Sequence, residues 1–392
     1  MMKSLELFSG MGGLAKGLSL SGFKHEKFVE FNKHACSSLR ANFGDDLVFE
    51  GDIRDFDFCS LNGIDIVAGG PPCQPFSMGG KHKAYDDGRD MFPLAISAIT
   101  ALQPKAFIFE NVKGLLRGSF SDYFDYVLLR LSFPDRIKKP NQDWQDHLSE
   151  LKKSRPSGLH YDVNFKLLNA ANYGVPQTRE RVFIVGVRSD LNVKWRFPEE
   201  THSKQILMYE QQDGSYWKRH GVTPDTAHLT QCRREAQQEQ KSLFSEPLMP
   251  WLTVRDALAH LPEPLSNHGI EDHIFKGGAK SYAGHTGSYC DLPAKTLKAG
   301  VHGVPGGENM VRYADDSIRY FTVHEAKLLQ TFPADFKVIG AWGEAMRQIG
   351  NAVPVSLASI IGTQLREALE GPNKNGRYSE VLPNHRTDRA VI

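Results

Sequence analysis

Short apolar runs alternate with helix-length segments over residues 3–190. We predict strands at 5–8, 27–30, 47–49, 64–68, 106–109 and 181–185, and helices near 13–21, 33–42, 91–102 and 121–131. Such alternation is typical of α/β proteins, because a helix follows each strand and covers a face of the sheet. The pattern therefore predicts a doubly wound, mostly parallel sheet.

The pattern changes twice further along the chain. Residues 132–158 are polar and interrupted by prolines, so we predict a surface insertion there. Residues 199–250 show little periodicity, and residues 265–310 are rich in Gly, Ser and His, which indicates a smaller, loop-rich second domain. A capping-box pattern at 322–325 and a helical pattern at about 355–369 predict that regular structure returns and packs on the first domain.

These changes divide the chain into a predicted first domain, a second domain and a tail. The first domain takes residues 1–190 and 311–370, and the second takes 191–310. The polar segment 371–392 is expected to be disordered.

Composition excludes several classes of protein. The 392 residues contain no run of 18 uncharged apolar residues, so we predict no membrane span, and the first residues do not read as a secretory signal, so we expect a cytoplasmic location. Five scattered cysteines without a CxxC pair indicate reduced thiols and no metal site. A net charge of +1 gives no support by itself to nucleic-acid binding, so any phosphate contact must be local.

One cysteine follows a strand on a stiff turn. The sequence GGPPCQPFS at 69–77 comes directly after the apolar run 64–68, and its prolines cannot continue a sheet. Cys73 is therefore expected at the carboxyl edge of the sheet, where open α/β proteins bind ligands. The alternative is a buried structural cysteine in a proline-rich loop.

A glycine-rich turn, FSGMGG at 8–13, follows the first predicted strand and opens a helix. Such a turn suits NAD, FAD and S-adenosylmethionine equally, or is an ordinary tight turn. Glu30 ends the next strand, where a carboxylate can accept both hydroxyls of a ribose, and Asp52 can accept from an adenine amino group. The alternative for both carboxylates is a helix cap or a solvated position.

Five motifs together resemble the DNA cytosine-C5 methyltransferases. They are LFSGMGG at 7–13, GGPPCQPFS at 69–77, ENV at 110–112, QTRER at 177–181 and QIGNAVP at 348–354. The resemblance covers residues 3–198 and about 290–365. It implies an S-adenosylmethionine-dependent, Rossmann-like first domain that carries catalysis and a second domain that recognises the target, with 291–297 resembling the motif that organises the second domain.

The resemblance implies covalent catalysis on a cytosine that has been flipped out of the duplex. C5 of cytosine is a weak nucleophile, and addition of the Cys73 thiolate at C6 would activate it. Glu110 is expected at N3 and Arg181 at O2, with Arg179 shaping the site beside them. The alternative for Glu110 and the arginines is a structural ion pair.

The resemblance also implies S-adenosylmethionine as the cofactor, and no metal. The residues expected to hold this cofactor are Phe8, Ser9, Gly10, Met11, Gly12, Gly13, Glu30, Phe31, Asp52, Ile53, Pro72, Phe92, Asn351, Ala352 and Val353.

Double-stranded DNA is the implied partner. The residues expected to contact DNA from the loop after Cys73 are Gln74, Ser77, Lys81, His82, Lys83 and Arg89. Basic residues interleaved with Tyr209, Tyr216 and Trp217 suit phosphate and base-edge contacts in the second domain. The chain is expected to be a monomer, and a cognate restriction endonuclease is a candidate partner.

Two other functions stay open. The first is an RNA cytosine methyltransferase on the same scaffold. The long segment 191–310 argues against it, because a segment of this length suits a domain that recognises duplex DNA. The second is a non-enzymatic DNA-binding protein, which would not need a thiol beside an acid.

Overall fold

The computed structural model describes residues 1–72, 90–155, 157–224, 248–282, 285–299 and 309–371. Cys73, the predicted DNA-contacting residues from Gln74 to Arg89 and the predicted tail beyond residue 371 lie outside these ranges.

A seven-stranded sheet forms the centre of the molecule, with the strand order β3-β2-β1-β4-β5-β7-β6. The strands are β1 (Lys3–Leu7), β2 (Lys24–Glu30), β3 (Val48–Glu50), β4 (Ile66–Gly69), β5 (Ala106–Val112), β6 (Tyr161–Asn169) and β7 (Glu180–Arg188). Strands β1 to β5 run parallel to one another, and β7 runs antiparallel to both β5 and β6. The prediction of a doubly wound, mostly parallel sheet is confirmed.

Helices cover both faces of this sheet. The helices of the described residues are α1 (Gly13–Leu20), α2 (Lys33–Phe43), α3 (Phe92–Leu102), α4 (Ser121–Ser132), α5 (Trp144–Lys152), α6 (Lys204–Asp213), α7 (Ser215–His220), α8 (Val254–Leu258), α9 (Val323–Leu329), α10 (Trp342–Asn351) and α11 (Val355–Glu370). Strands β4 and β5 are buried between two apolar clusters, because successive side chains point to opposite faces and both faces are covered. This burial explains their nearly continuous apolar sequences.

The predicted surface insertion at 132–158 contains helix α5, which periodicity did not indicate. Leu148 and Leu151 of α5 are buried in the same apolar cluster as the central strands, and the helix packs on α4. Periodicity missed this helix within the surface insertion, because three buried positions in a nine-residue helix give too weak a periodic signal among polar neighbours. Strand β6 was also missed, since its exposed edge carries polar residues.

A third apolar cluster joins the end of the predicted second domain to the carboxyl-terminal helices. It includes Val254, Leu297, Phe321 and Ile349, together with Met11 of the glycine-rich turn. A three-stranded sheet borders this cluster and consists of β10 (Ser288–Tyr289), β11 (Met310–Arg312) and β12 (Ile318–Tyr320). A separate two-stranded sheet pairs β8 (His202–Ser203) with β9 (Met249–Pro250). The cluster places the glycine-rich turn against the later part of the chain.

Two predictions within the second domain change with the structure. Tyr216 and Trp217 are buried against Leu207 and form a small apolar core, so they do not present their rings to DNA. Trp195 packs in a cluster of the central sheet, although it lies beyond the predicted boundary at residue 191. The predicted capping box is confirmed, because Thr322 and Glu325 bond reciprocally at the start of α9.

Among the described residues, none of the helices has the length and apolar character needed to cross a membrane.

Candidate active site

The carboxyl end of β5 and the amino end of β7 bring a carboxylate and a guanidinium together. The two strands are antiparallel, so Val112 lies opposite Arg181 and Glu110 lies opposite Phe183. Glu110 is therefore inside β5, which continues past the predicted end at residue 109. The side chains of Glu110 and Arg181 are 10% and 14% exposed.

These two side chains form an ion pair. Arg181 Nε lies 2.8 Å from Glu110 Oε1, an oxygen that accepts no hydrogen bond from the described residues. The contact is therefore mainly electrostatic, and partial burial strengthens it relative to a surface pair. A Cβ placed on Gly70 would lie 3.5 Å from the other oxygen, Glu110 Oε2, so that oxygen faces the turn that precedes Cys73.

The turn after β4 is held at this carboxylate by two hydrogen bonds to proline carbonyls. Asn111 Nδ2 donates to the carbonyl of Pro71 over 3.0 Å, and the amide of Met91 donates to the carbonyl of Pro72 over 3.2 Å. Proline has no N–H group, so its carbonyl is the main-chain group through which it can be tied. Pro72 is exposed and is the last described residue before Cys73.

The strand that leads into this turn requires a glycine at its end. A Cβ on Gly69 would lie 2.2 Å from the carbonyl oxygen of Leu7 in β1, which is shorter than a non-bonded contact allows. Only glycine permits β1 and β4 to lie this close at their carboxyl ends. The predicted catalytic turn and the glycine-rich turn after β1 therefore leave the sheet side by side.

Arg179 differs from Arg181 although it is only two residues away. Its side chain is buried, with 1% of the residue exposed, and its terminal nitrogens donate to the carbonyls of Leu297 (3.2 Å) and Gly350 (2.8 Å). Burial lowers the pKa of its guanidinium well below the ordinary value, and the charge of Arg181 lowers it further, whereas Glu110 raises it. These contacts are those of a residue that joins chain segments.

Arg179 belongs to what we call the joint, formed by residues 177–179, 294–297 and Gly350. Gln177 Oε1 accepts from the amide of Leu297 over 3.0 Å, and the amide of Thr178 donates to the carbonyl of Ala294 over 2.8 Å. No role for Gln177 was predicted from the sequence, because its partner lies 120 residues later in the chain. The joint fastens the segment 291–297 to the end of β7.

The glycine-rich turn after β1 leaves an open space. Phe8 and Gly10 both have positive φ angles, 51° and 53°, and a Cβ on Gly10 would have no atom within 4 Å. A positive φ is unusual for phenylalanine, and such strained residues cluster at ligand sites. By contrast, Gly13 is closed off by a tight contact, because a Cβ there would lie 2.4 Å from the carbonyl oxygen of Val353.

Glu30 holds the glycine-rich turn from the end of β2. Its Oε2 accepts from the amide of Gly10 over 2.7 Å, and its Oε1 accepts from the amides of Phe31 and Asn32. Burial raises the pKa of Glu30, and these three hydrogen bonds oppose the rise. A carboxylate has about four acceptor positions, so Glu30 can fix the turn and still accept from a ligand.

The other predicted cofactor residues differ in accessibility. The Phe31 side chain is 76% exposed at the end of β2, whereas Phe92 is buried and packs on Phe109. Asp52 caps a short 3₁₀ helix through the amide of Arg54 and also accepts from its guanidinium, as the alternative for this carboxylate proposed. The remaining predicted residues line the two turns or close on them, with Ser9 and Asn351 accessible and Met11, Gly12, Ile53, Ala352 and Val353 buried.

Comparison with known proteins identifies the family. A sequence model described as "C-5 cytosine-specific DNA methylase" matches residues 2–134 and 136–367. The chain belongs to the C-5 cytosine-specific DNA methylase family. It is a DNA methyltransferase that modifies C5 of cytosine, which agrees with the resemblance seen in the sequence.

Relatives support this membership along the whole length of the methylase. The Type II methyltransferase M.PspPI of Psychrobacter sp. (strain TA137) is 31% identical over 379 residues, covering 95% of this chain and 80% of that protein. The Type II methyltransferase M.NgoMIV of Neisseria gonorrhoeae is 31% identical over 378 residues, covering 94% and 99%.

Solved structures share the fold. The S. pombe Dnmt2 methyltransferase superposes with a TM-score of 0.56 at 18% identity, over 95% of this chain and 100% of that one. The Entamoeba histolytica methyltransferase EhMeth superposes with a TM-score of 0.52 at 16% identity, over 94% and 98%.

Proposed function

We propose that this methylase transfers a methyl group from S-adenosylmethionine to a flipped-out cytosine in a specific duplex sequence, through a transient bond between Cys73 Sγ and C6 of the base. The observation that carries the proposal is the Glu110–Arg181 pair, 2.8 Å apart, beside the tied turn that ends at Pro72. An acid and a cation at this edge are the groups that addition to a pyrimidine ring requires.

The proposed reaction begins when the thiolate of Cys73 adds to C6. The C5–C6 π electrons move toward N3 and O2, where a proton shared with Glu110 and the charge of Arg181 balance the negative charge. C5 then has enamine character and would form a bond to the methyl group, whose S–CH3 bond breaks so that the donor leaves as the thioether S-adenosylhomocysteine. A water molecule removes the C5 proton, the electron pair of that C–H bond re-forms the double bond and expels the sulfur, and the N3 proton returns to Glu110.

The turns after β1 and β2 fit the proposed cofactor. The open space at Gly10 admits a ligand close to the backbone, the exposed ring of Phe31 suits the face of an adenine, and Glu30 suits ribose hydroxyls. When bound, S-adenosylmethionine supplies an electrophilic methyl group. We further propose that Ala352 and Val353, which pack on Gly13, close the methionine end.

Access to C6 requires the target base to leave the stack, at a cost of roughly a few kcal/mol. We propose that residues 191–310 recognise the duplex sequence, and that the residues from Gln74 to Arg89 named above contact the phosphates. Because two relatives are named Type II methyltransferases, we also propose a cognate restriction endonuclease as partner. We further propose that the chain works as a monomer. Sedimentation should then show one species near 43.9 kDa.

The decisive experiment uses a base that cannot complete the reaction. Bisulfite sequencing of a plasmid from cells that express the chain first identifies the target site. A duplex with 5-fluorocytosine at that site, mixed with the methylase and S-adenosylmethionine, should then give a covalent complex, because fluorine at C5 cannot leave as a proton does. Peptide mapping should find the base on Cys73.

Two variants control this experiment. Cys73→Ala should form no complex and transfer no methyl group while it still binds S-adenosylmethionine. Cys59→Ala, which changes an exposed cysteine, should react as the unmodified chain does. Turnover by Cys73→Ala would reject covalent catalysis by this residue, and methylation of tRNA but not of the duplex would reject the proposed substrate.

A further inference from the structure

A buried carboxylate lies where the chain resumes before α3. Asp90 is buried, its Oδ1 accepts from the amide of Phe92 over 3.2 Å, and its Oδ2 accepts from the hydroxyl of Tyr123 in α4. Burial of a carboxylate is costly unless hydrogen bonds compensate it, and bonds to a charged acceptor are stronger than neutral ones. The phenol of Tyr123 therefore fixes the position of Asp90.

The residue after Asp90 contacts the turn that precedes the proposed nucleophile. The amide of Met91 donates to the carbonyl of Pro72 over 3.2 Å. The carbonyl of Pro71 is held separately, by Asn111 of β5. The turn is thus tied on one side to the strand that carries Glu110 and on the other side to the start of α3, whose position depends on Asp90.

The segment 132–158 supports Tyr123 from outside. The ring of Trp144, the first residue of α5, packs edge-on against the ring of Tyr123, with centroids 5.8 Å apart and an interplanar angle of 83°. Trp144 also contacts Tyr126 one turn later, at 5.7 Å. Edge-to-face contacts of this kind restrict the position of a ring beyond what burial alone does.

We propose that Tyr123 is a positioning residue of the methylase, held by Trp144 of the insertion, and that it fixes the Pro71–Pro72 turn beside Glu110 by way of Asp90 and Met91. This inference rests on the proposed function, because the turn matters only if Cys73 attacks the base. It also gives the insertion a role in the reaction. A displacement of the nucleophile of about 1 Å is enough to slow a reaction a hundredfold.

The test compares two buried tyrosines on one helix. Tyr123→Phe removes the hydroxyl that binds Asp90, and Tyr126→Phe removes the hydroxyl that pairs with His147 Nδ1 at 2.9 Å. Tyr123→Phe should lower the single-turnover rate of methyl transfer by about tenfold to a hundredfold. It should leave KM for the duplex and the affinity for S-adenosylmethionine within about twofold, because the change touches neither ligand. Tyr126→Phe should keep the unmodified rate.

Further measurements separate positioning from folding. Thermal unfolding should show that both variants are folded at the assay temperature, with the larger loss of stability in Tyr123→Phe because it removes a hydrogen bond to a buried carboxylate. Asp90→Asn, which keeps an oxygen acceptor for Tyr123, should retain more activity than Asp90→Ala, and Trp144→Phe should slow transfer less than Tyr123→Phe. Equal rates for Tyr123→Phe and Tyr126→Phe would overturn the inference. If the unmodified methylase forms no fluorocytosine complex, the proposed function fails instead.

Discussion

Two regions that meet at the amino end of β7 use arginine in opposite ways. At what we call the catalytic edge after its proposed role, formed by Gly70, Glu110, Asn111 and Arg181, the guanidinium pairs with a carboxylate and keeps partial access to solvent. At the joint, Arg179 is buried and donates to two main-chain carbonyls from distant segments. One arginine balances a charge, and the other connects parts of the chain.

The comparison shows what burial does to the same side chain. A guanidinium beside a carboxylate at an open edge can respond to charge that develops on a substrate. A buried guanidinium whose two terminal nitrogens donate to carbonyls of distant segments, as in Arg179, gives mainly structural order. We therefore expect changes at the catalytic edge to affect the rate of reaction, and changes at the joint to affect the free energy of unfolding.

Glu110→Gln is expected to have the largest effect. The amide has nearly the same volume, so the fold should persist, but it cannot share a proton with N3 of the base. The single-turnover rate of methyl transfer should fall by about a hundredfold or more, as for loss of a positioned proton donor. Rapid-quench measurement with a saturating duplex gives this rate directly.

Glu180→Gln is the matched control, because the Glu180 side chain is exposed and pairs with Lys113 at 2.8 Å, while its main-chain carbonyl, which the change leaves in place, accepts from Arg181. It should leave the rate unchanged. A Glu110→Gln variant with the unmodified rate would remove Glu110 from the chemistry and reduce its pair with Arg181 to a structural contact.

Arg179→Lys and Arg181→Lys test the contrast between the two regions directly. At the joint, a single ammonium cannot reach both Leu297 and Gly350 as two guanidinium nitrogens do, so Arg179→Lys should lower the free energy of unfolding by about 2 kcal/mol. At the edge, Arg181→Lys keeps the charge near Glu110 and should cost less stability while slowing transfer. Urea unfolding and rapid-quench rates measure the two effects. A larger loss of stability in Arg181→Lys, together with a larger loss of rate in Arg179→Lys, would contradict the proposed difference between the two regions.

The sequence predicted the catalytic edge better than it predicted the joint. Glu110 and Arg181 each adjoin an apolar strand, and the ends of neighbouring strands meet at one edge, so local patterns were enough to bring them together. Arg179 was predicted to shape the catalytic site beside Arg181, as the resemblance implied. Its partners at 297 and 350 are set by how distant segments pack, which no local pattern encodes.

The same limit explains the elements that were missed or misjudged. The central strands were predicted within a few residues, since both of their faces are buried and their sequences are continuously apolar. Helix α5 buries only a few side chains, although they join the cluster of the central strands. Tyr216 and Trp217 lie in a small cluster of their own, and their aromatic rings resemble a DNA-contacting mixture in the sequence. Composition does not distinguish a small core from a binding surface.

The smallest predicted effect concerns acid stability beside the joint. His202 is buried against Gly174, in the turn before residue 177, and burial lowers the pKa of its imidazole from 6.5 to about 4. Between these pH values the unfolded chain binds a proton that the folded chain does not, so stability is lost as the pH falls. The loss attributable to His202 should be roughly 1 kcal/mol at pH 5.5.

Urea unfolding of His202→Gln should show a free energy of unfolding that depends less steeply on pH, between pH 7.5 and 5.5, than that of the unmodified chain. The same change at the partly exposed His34, His34→Gln, should not flatten this dependence. An unchanged slope in His202→Gln would show that the acid sensitivity comes from another group of the protein.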